Sequence, residues 1–235
     1  MKINDYALVL HRMPYSENSL LVRVFTRNEG QISLLFQGGK KKWGNILHPL
    51  AQIELTYYRR KDSELGKISA VELLHPASQL PFDPIKSSIA FFLVEFLQQI
   101  TQPDHPDPSL FELIQQECQH LENHDHLTNY PLWICSKLAE HSGIHPQLDR
   151  EPIAFLDLKE GLLGSSHPLH GHFIQGTHLK WMLATHTYDC SSFLAIPLNK
   201  IERNACFEAW MNYFQFSFPQ VRNLKSIPVL KELFS

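Results

Sequence analysis

The sequence contains no two cysteines close enough to share a metal or close a short loop. Cys118, Cys135, Cys190 and Cys206 are widely spaced and form no CxxC pair, which argues against a four-cysteine zinc site and against a disulfide framework. Each reads as a small buried hydrophobe. No apolar run approaches the ~20 residues that span a bilayer; the strongest, IAFFLVEFL at 89–97, contains Glu95. The opening MKINDYALVLHRM is broken by His11 and Arg12, so it is neither a secretory signal nor an anchor. A soluble, cytoplasmic protein is expected. There is no Walker lysine loop, no GxSxG elbow and no HExxH helix, so neither an enzyme nor a bound cofactor is expected.

Strong net charge is also absent, since the 235 residues sum to -3. That balance hides an asymmetry. Residues 1–77 carry eleven Lys or Arg against seven Asp or Glu, hence +4, while the remainder carries ten against seventeen, hence -7. A basic partner surface is therefore expected in the first third, where QGGKKKWGN at 37–45 gathers three lysines, three glycines and a tryptophan.

Five short runs rich in Val, Ile, Leu, Phe and Tyr fill that third: 5–12, 19–26, 31–36, 51–58 and 67–74. Turn signals separate them. TRNEGQ predicts a tight hairpin with Gly30 at positive φ, and RRKDSELG joins the last two runs. In the fourth run Ile53, Leu55 and Tyr57 alternate with Gln52, Glu54, Thr56 and Tyr58, the period of a half-buried strand. Five antiparallel strands in this length suit a small closed barrel, because closure removes exposed edges. An OB-fold and an SH3-like barrel both satisfy the strand count.

Beyond HPASQLPFDP at 75–84 the period becomes helical. Asp83 is placed to cap a helix with Pro84 in its first turn; Ile85, Ile89, Phe92, Leu93, Phe96, Leu97 and Ile100 then share a face. SLFE at 109–112 predicts a capping box opening a helix to about 123. A third helix begins at Pro131 and stops near Gly143, a glycine suited to the position after a helix end. Residues 145–176 read as an irregular excursion. Helices resume over 177–188, over 198–217 with Ile201, Ala205, Trp210 and Phe214 at helical spacing, and over 227–234. The expected organisation is a nucleic-acid-binding barrel over 1–77 and a helical domain over 78–235.

Two constellations are candidates for chemistry. His167, His170, His172 and His178, with Asp157 and Glu160 nearby, supply imidazoles but lack regular ligand spacing, and a solvated histidine-rich loop is the better reading. The basic residues are more coherent. Arg12, Arg23 and Arg27 fall on strands and a hairpin, Lys40, Lys41 and Lys42 in the glycine loop, and Arg59, Arg60 and Lys61 at the next turn. Single-strand binding needs cations for phosphates and exposed rings for bases. Trp43, Tyr15 and Tyr58 are the available rings, while Tyr57 shares its strand's apolar phase. The candidate DNA-binding set is thus Arg12, Arg23, Arg27, Lys40, Lys41, Lys42, Trp43, Arg59 and Arg60.

The order VLHRMPYSENSLLVRVFTRNEGQISLLFQGGKKK, LHPLAQIELTYYRR and ISAVELL resembles the N-terminal domain of the RecO family of bacterial recombination mediators. The resemblance rests on Tyr15 with Glu17 and Asn18, on Thr26 and Gly30, on Gly38 to Lys41 and on Glu72; it returns in LKSIPVLKEL at 224–233. It implies an OB-fold followed by a helical domain, with no enzymatic activity. It implies binding of single- and double-stranded DNA, annealing of complementary strands, and loading of RecA with RecR on DNA coated by single-stranded DNA-binding protein. RecF is a further implied contact, and the nucleoid the implied location. The coating protein's C-terminal tail would need an apolar groove rimmed by a cation, for which Lys86, Lys137, Lys180 and Arg203 are candidates. Many relatives carry a four-cysteine zinc module after a segment like HPQLD at 145–149. This chain has no cysteine between 135 and 190, so its fold there is expected to rest on packing alone. Rival readings are a protein-interaction scaffold that touches no nucleic acid, and a metal-dependent hydrolase built on the histidine loop.

Overall fold

The computed structural model describes residues 2–43, 46–60, 63–76, 78–147 and 153–233; the side chains of Lys40 and Lys42 lie outside the described atoms. The chain divides into two compact units, residues 1–123 with 224–230, and residues 124–223 with 231–235.

Unit one is built on a closed five-stranded barrel of β1 (Lys2–Pro14), β2 (Leu20–Thr26), β3 (Gly30–Phe36), β4 (Gln52–Tyr58) and β5 (Leu65–Leu73). The strand order is β1-β2-β3-β5-β4, with β1 returning to β4 and with β3 and β5 parallel. That order is the OB-fold, and the parallel pair separates it from an SH3-like meander. Inward side chains alternate along each strand: Leu20, Val22 and Val24 on β2, Ile32, Leu34 and Phe36 on β3, Ile53, Leu55 and Tyr57 on β4. Tyr57 is core, with its hydroxyl donating to Glu29 Oε2 at 3.1 Å. β1 reaches both neighbours because a bulge between Val9 and His11 shifts its register and bends it around the barrel.

Gly30 has φ +71 and closes the β2–β3 hairpin as expected. A Cβ there would also meet the His105 backbone oxygen at 2.2 Å, because the segment after the first long helix crosses the hairpin.

The glycine-lysine stretch is a short helix, α1 (Gly39–Trp43), where a loop was expected. Two long helices complete the unit, α2 (Pro84–Ile100) and α3 (Pro108–Asn123). Asp83 caps α2, its Oδ1 accepting from the backbone N–H groups of Ile85 and Lys86. The expected capping box at Ser109 is not formed. Asp107 caps α3, accepting from the Leu110 N–H and the Ser109 hydroxyl, and its carboxylate, two residues earlier, leaves Glu112 to pair elsewhere. The buried faces of α2 and α3 cover part of the barrel exterior, where the rings of Phe25 and Phe111 meet at a tilt with centroids 6.1 Å apart. This explains why Ala7, Leu8, Val9 and Leu10 are all buried in succession: β1 is covered on both sides there.

Unit two contains α4 (Tyr130–His141), a small sheet ordered β7-β6-β8, then α5 (Gly176–Ala184), α6 (Cys190–Leu194) and α7 (Lys200–Ser217). The sheet's strands are β6 (Phe155–Asp157), β7 (Leu163–Gly164) and β8 (Phe173–Gln175). The excursion expected to be irregular therefore holds ordered strands, too short to show a period in the sequence. α4 ends at Gly143, φ +69, as its sequence predicts. The expected 177–188 helix stops at Ala184, and α6 is separate because Asp189 caps it, accepting from the Ser192 N–H. Ile201 is 80% exposed and does not join Trp210 and Phe214 in the core. α8 (Ser226–Leu233) closes the chain. All four cysteines are buried and none forms a disulfide, and burial pushes the Cys118 and Cys206 thiols up to about 12. No helix is long and apolar enough to cross a membrane among the described residues.

Candidate nucleic-acid interface

The outer faces of β2 and β3 follow from their alternation. With Val22, Val24, Ile32 and Leu34 inward, Arg23 and Ser33 turn outward as a register pair. The β1 bulge then brings His11 opposite Arg23, so His11, Arg23 and Ser33 form one row across three strands. α2 crosses beside this row and leaves a cleft of about 830 Å³, with His11, Arg12 and Arg23 on the barrel side and Phe91, Val94 and Gln98 on the helix side. Glu95 also reaches the cleft, but its Oε2 accepts from the backbone N–H and hydroxyl of Ser226, at 2.8 and 2.7 Å. Its charge is directed at the start of α8, where a helix terminus favours an anion. Arg12 and Arg23 have no carboxylate within ion-pair distance among the described residues.

The remaining cations are dispersed. Arg27 is bound to Glu112 of α3 at 2.5 Å. Arg59 is only 11% exposed in its side chain, with Nη1 2.5 Å from Asp104 Oδ1 and 3.5 Å from Glu29 Oε2. Its Nε–H donates to the Ser63 carbonyl, and the hydrogen bond to Asp104 raises its pKa above the usual guanidinium value. Both arginines are therefore engaged with carboxylates. Arg60 is exposed on the β4–β5 loop and Lys41 on α1; Lys61 lies outside the described residues, as do the side chains of Lys40 and Lys42. Trp43 is folded back rather than presented, half-buried with its ring 6.3 Å from that of Phe36. Tyr15 is 61% exposed on the β1–β2 loop and Tyr58 half-exposed on β4.

Sequence reasoning did not find His11 or Phe91 for this cleft. His11 becomes visible only once the bulge fixes its register. Phe91 carried a signal, since it stands outside the apolar phase of α2. Another hollow of this unit, about 400 Å³, is walled by Leu73, Leu74 and Leu80 with Glu122 beside them, a lining unsuited to a polyanion.

No group of three or more His, Cys, Asp or Glu is placed to hold an ion among the described residues. His170 instead pairs with Asp157 at 3.1 Å. In the segment where the family resemblance implied a four-cysteine module, the small sheet is held by rings: Phe155 and Phe173 meet edge-on at 5.5 Å, and His167 lies 4.3 Å from Phe173. The donor set does not fit a zinc module. Of the cations considered for a peptide-tail groove, Lys86 is buried and donates to the Glu122 carbonyl at 2.9 Å, and Lys137 pairs with Glu140.

Two family profiles match this architecture. The first, "Recombination protein O N terminal", covers residues 1–77, and the second, "Recombination protein O C terminal", covers residues 81–166. The chain belongs to the RecO family. Among curated RecO proteins it is 29% identical over 234 residues to DNA repair protein RecO of Phocaeicola vulgatus, covering 97% of each chain. It is 26% identical over 240 residues to that of Flavobacterium psychrophilum and 26% over 247 to that of Porphyromonas gingivalis, covering 100% of each chain in both. RecO proteins serve DNA repair and recombination, and the OB-fold barrel of this member is the part that the first profile spans.

Proposed function

We propose that this chain is a non-enzymatic recombination mediator whose barrel binds single- and double-stranded DNA and anneals complementary strands. With RecR it would load RecA onto DNA coated by single-stranded DNA-binding protein, with RecF as a further contact, at the nucleoid. The helical residues beyond 78 then serve protein contacts, including the coating protein's C-terminal tail.

The observation that supports the reading is the pair of arginines, Arg12 and Arg23, without a carboxylate partner among the described residues, in one cleft on the OB-fold face, the face that such barrels use for oligonucleotides. Annealing follows from simple electrostatics. Neutralised phosphates repel one another less, and contacts indifferent to sequence let the register be searched. If Arg12, Arg23, Lys41 and Arg60 each meet one phosphate, log affinity for single strands falls against log salt with a slope of about -2.8, at roughly 0.7 per phosphate.

Strand annealing between two complementary oligonucleotides, with and without the coating protein, tests the role. Acceleration in both conditions supports it. A chain that neither retards labelled oligonucleotide at low salt nor accelerates annealing is the scaffold instead.

A further inference from the structure

Phe91 is half-exposed, at 52%, between two neighbours, Ala90 and Phe92, that are fully buried. A single exposed apolar side chain on a helix needs no explanation. This one, however, stands on the wall of a solvent-open cleft whose lining also includes Arg12 and Arg23. No ring pairs with it among the described residues. Cations on one wall and an unoccupied ring on the other are the two elements that a single-strand site requires.

We infer that Phe91 is a base-stacking residue, and that through it the cleft prefers unpaired strands to duplex. The inference rests on the DNA-binding reading above and goes beyond it by naming the group that distinguishes the two forms. The chemistry is asymmetric. Phosphates are offered by single strands and duplex alike, so Arg12 and Arg23 attract both. A base face is open for stacking only where the base is unpaired, because in a duplex the neighbouring pairs already cover it. A phenyl ring in the cleft thus adds affinity for single strands alone. Charge complementarity between Arg12, Arg23 and phosphate makes the occupant a polyanion.

The test uses the full chain and fluorescence anisotropy at one fixed salt concentration, with three probes: labelled oligo-dT, a blunt duplex of equal length, and an abasic phosphodiester strand. For Phe91→Ala, oligo-dT affinity is expected to fall by about fivefold to a hundredfold, the range of one stacked base. Affinities for the duplex and the abasic strand are expected to stay within about twofold. Phe91→Trp should restore oligo-dT binding. Phe91→Leu, which keeps an apolar side chain but has no π face, should behave like Ala; it also supplies the measurement should the Ala variant fold poorly. Equal loss on all three probes, or no loss on oligo-dT, overturns the inference while leaving the DNA-binding reading intact. Failure of the unaltered chain to bind any probe overturns both.

Discussion

Arg59 Nη1 lies 2.5 Å from Oδ1 of Asp104, a residue held at φ +60 in the segment between α2 and α3. The contact ties the β4–β5 loop to the segment that crosses the β2–β3 hairpin, and Glu29 supports the same guanidinium from the hairpin itself. An arginine placed in this way holds the fold together, and its charge is largely compensated. Arg59→Ala should lower stability by about 1–2 kcal/mol, below the cost of breaking a fully buried pair because Asp104 is half-exposed. Denaturant unfolding measures that loss. The salt slope of DNA binding should be unchanged.

The distribution of free and engaged arginines makes a second test. Replacing both Arg12 and Arg23 with Ala should flatten the slope of log affinity against log salt by about 1.4, at roughly 0.7 per lost phosphate contact. Arg27→Ala should leave it nearly unaltered, since that guanidinium faces Glu112. Ala at Lys40, Lys41 and Lys42 together should flatten it while the folding midpoint stays in place; an unchanged slope would remove the lysines from the DNA site.

Gly30 is held by conformation and by space at once. Its positive φ penalises any side chain, and a Cβ would press on the His105 carbonyl. Gly30→Val should destabilise by several kcal/mol, more than the ~1 kcal/mol of a conformational penalty alone. A midpoint within 2 °C of the unaltered chain would contradict the packing described at the hairpin.

Acid should weaken unit two through His145. Its ring is buried against Trp210 and His186, with Ser136 Oγ 2.8 Å from Nε2 and the Pro146 carbonyl at Nδ1. Desolvation, then the electrostatic influence of His186, hold its pKa down at about 4; the Pro146 carbonyl and Glu140 oppose the shift and Lys137 reinforces it. The unfolded chain binds this proton more readily than the native one. The contribution is therefore complete above about pH 6.5 and is lost as pH falls toward 4, at roughly 1.4 kcal/mol per pH unit. His145→Asn should remove that part of the pH dependence, measured as the difference between the two stability profiles.

The small sheet of unit two should be indifferent to chelators. With rings in place of thiolates at its centre, a chelator should leave the melting temperature unchanged, whereas Phe173→Ala should lower it by several degrees. A melting temperature that falls on chelation would show that some other donor set holds an ion.

Periodic elements were legible in the sequence because their signals are local. The alternation of Ile53, Leu55 and Tyr57 marks β4, and Asp83 with Pro84 marks the start of α2. Gly30 and Gly143 mark a hairpin and a helix end because each is a glycine where the chain takes a positive φ. Signals failed where two local solutions competed. Ser109 and Asp107 were both able to cap α3, and the carboxylate did. Strands of two and three residues, as in β6, β7 and β8, are shorter than any period that would announce them.

Residue types and their spacing thus determined that the first third would form a small barrel and that the basic residues would concentrate in that part of the chain. Which cations remained available was decided in three dimensions. Arg27 and Arg59 met Glu112 and Asp104, carboxylates 85 and 45 positions away along the chain, whereas a one-residue bulge in β1 aligned His11 with Arg23 beneath α2. Ion pairing and strand register depend on distances between atoms remote in sequence, and no local pattern of side chains encodes them.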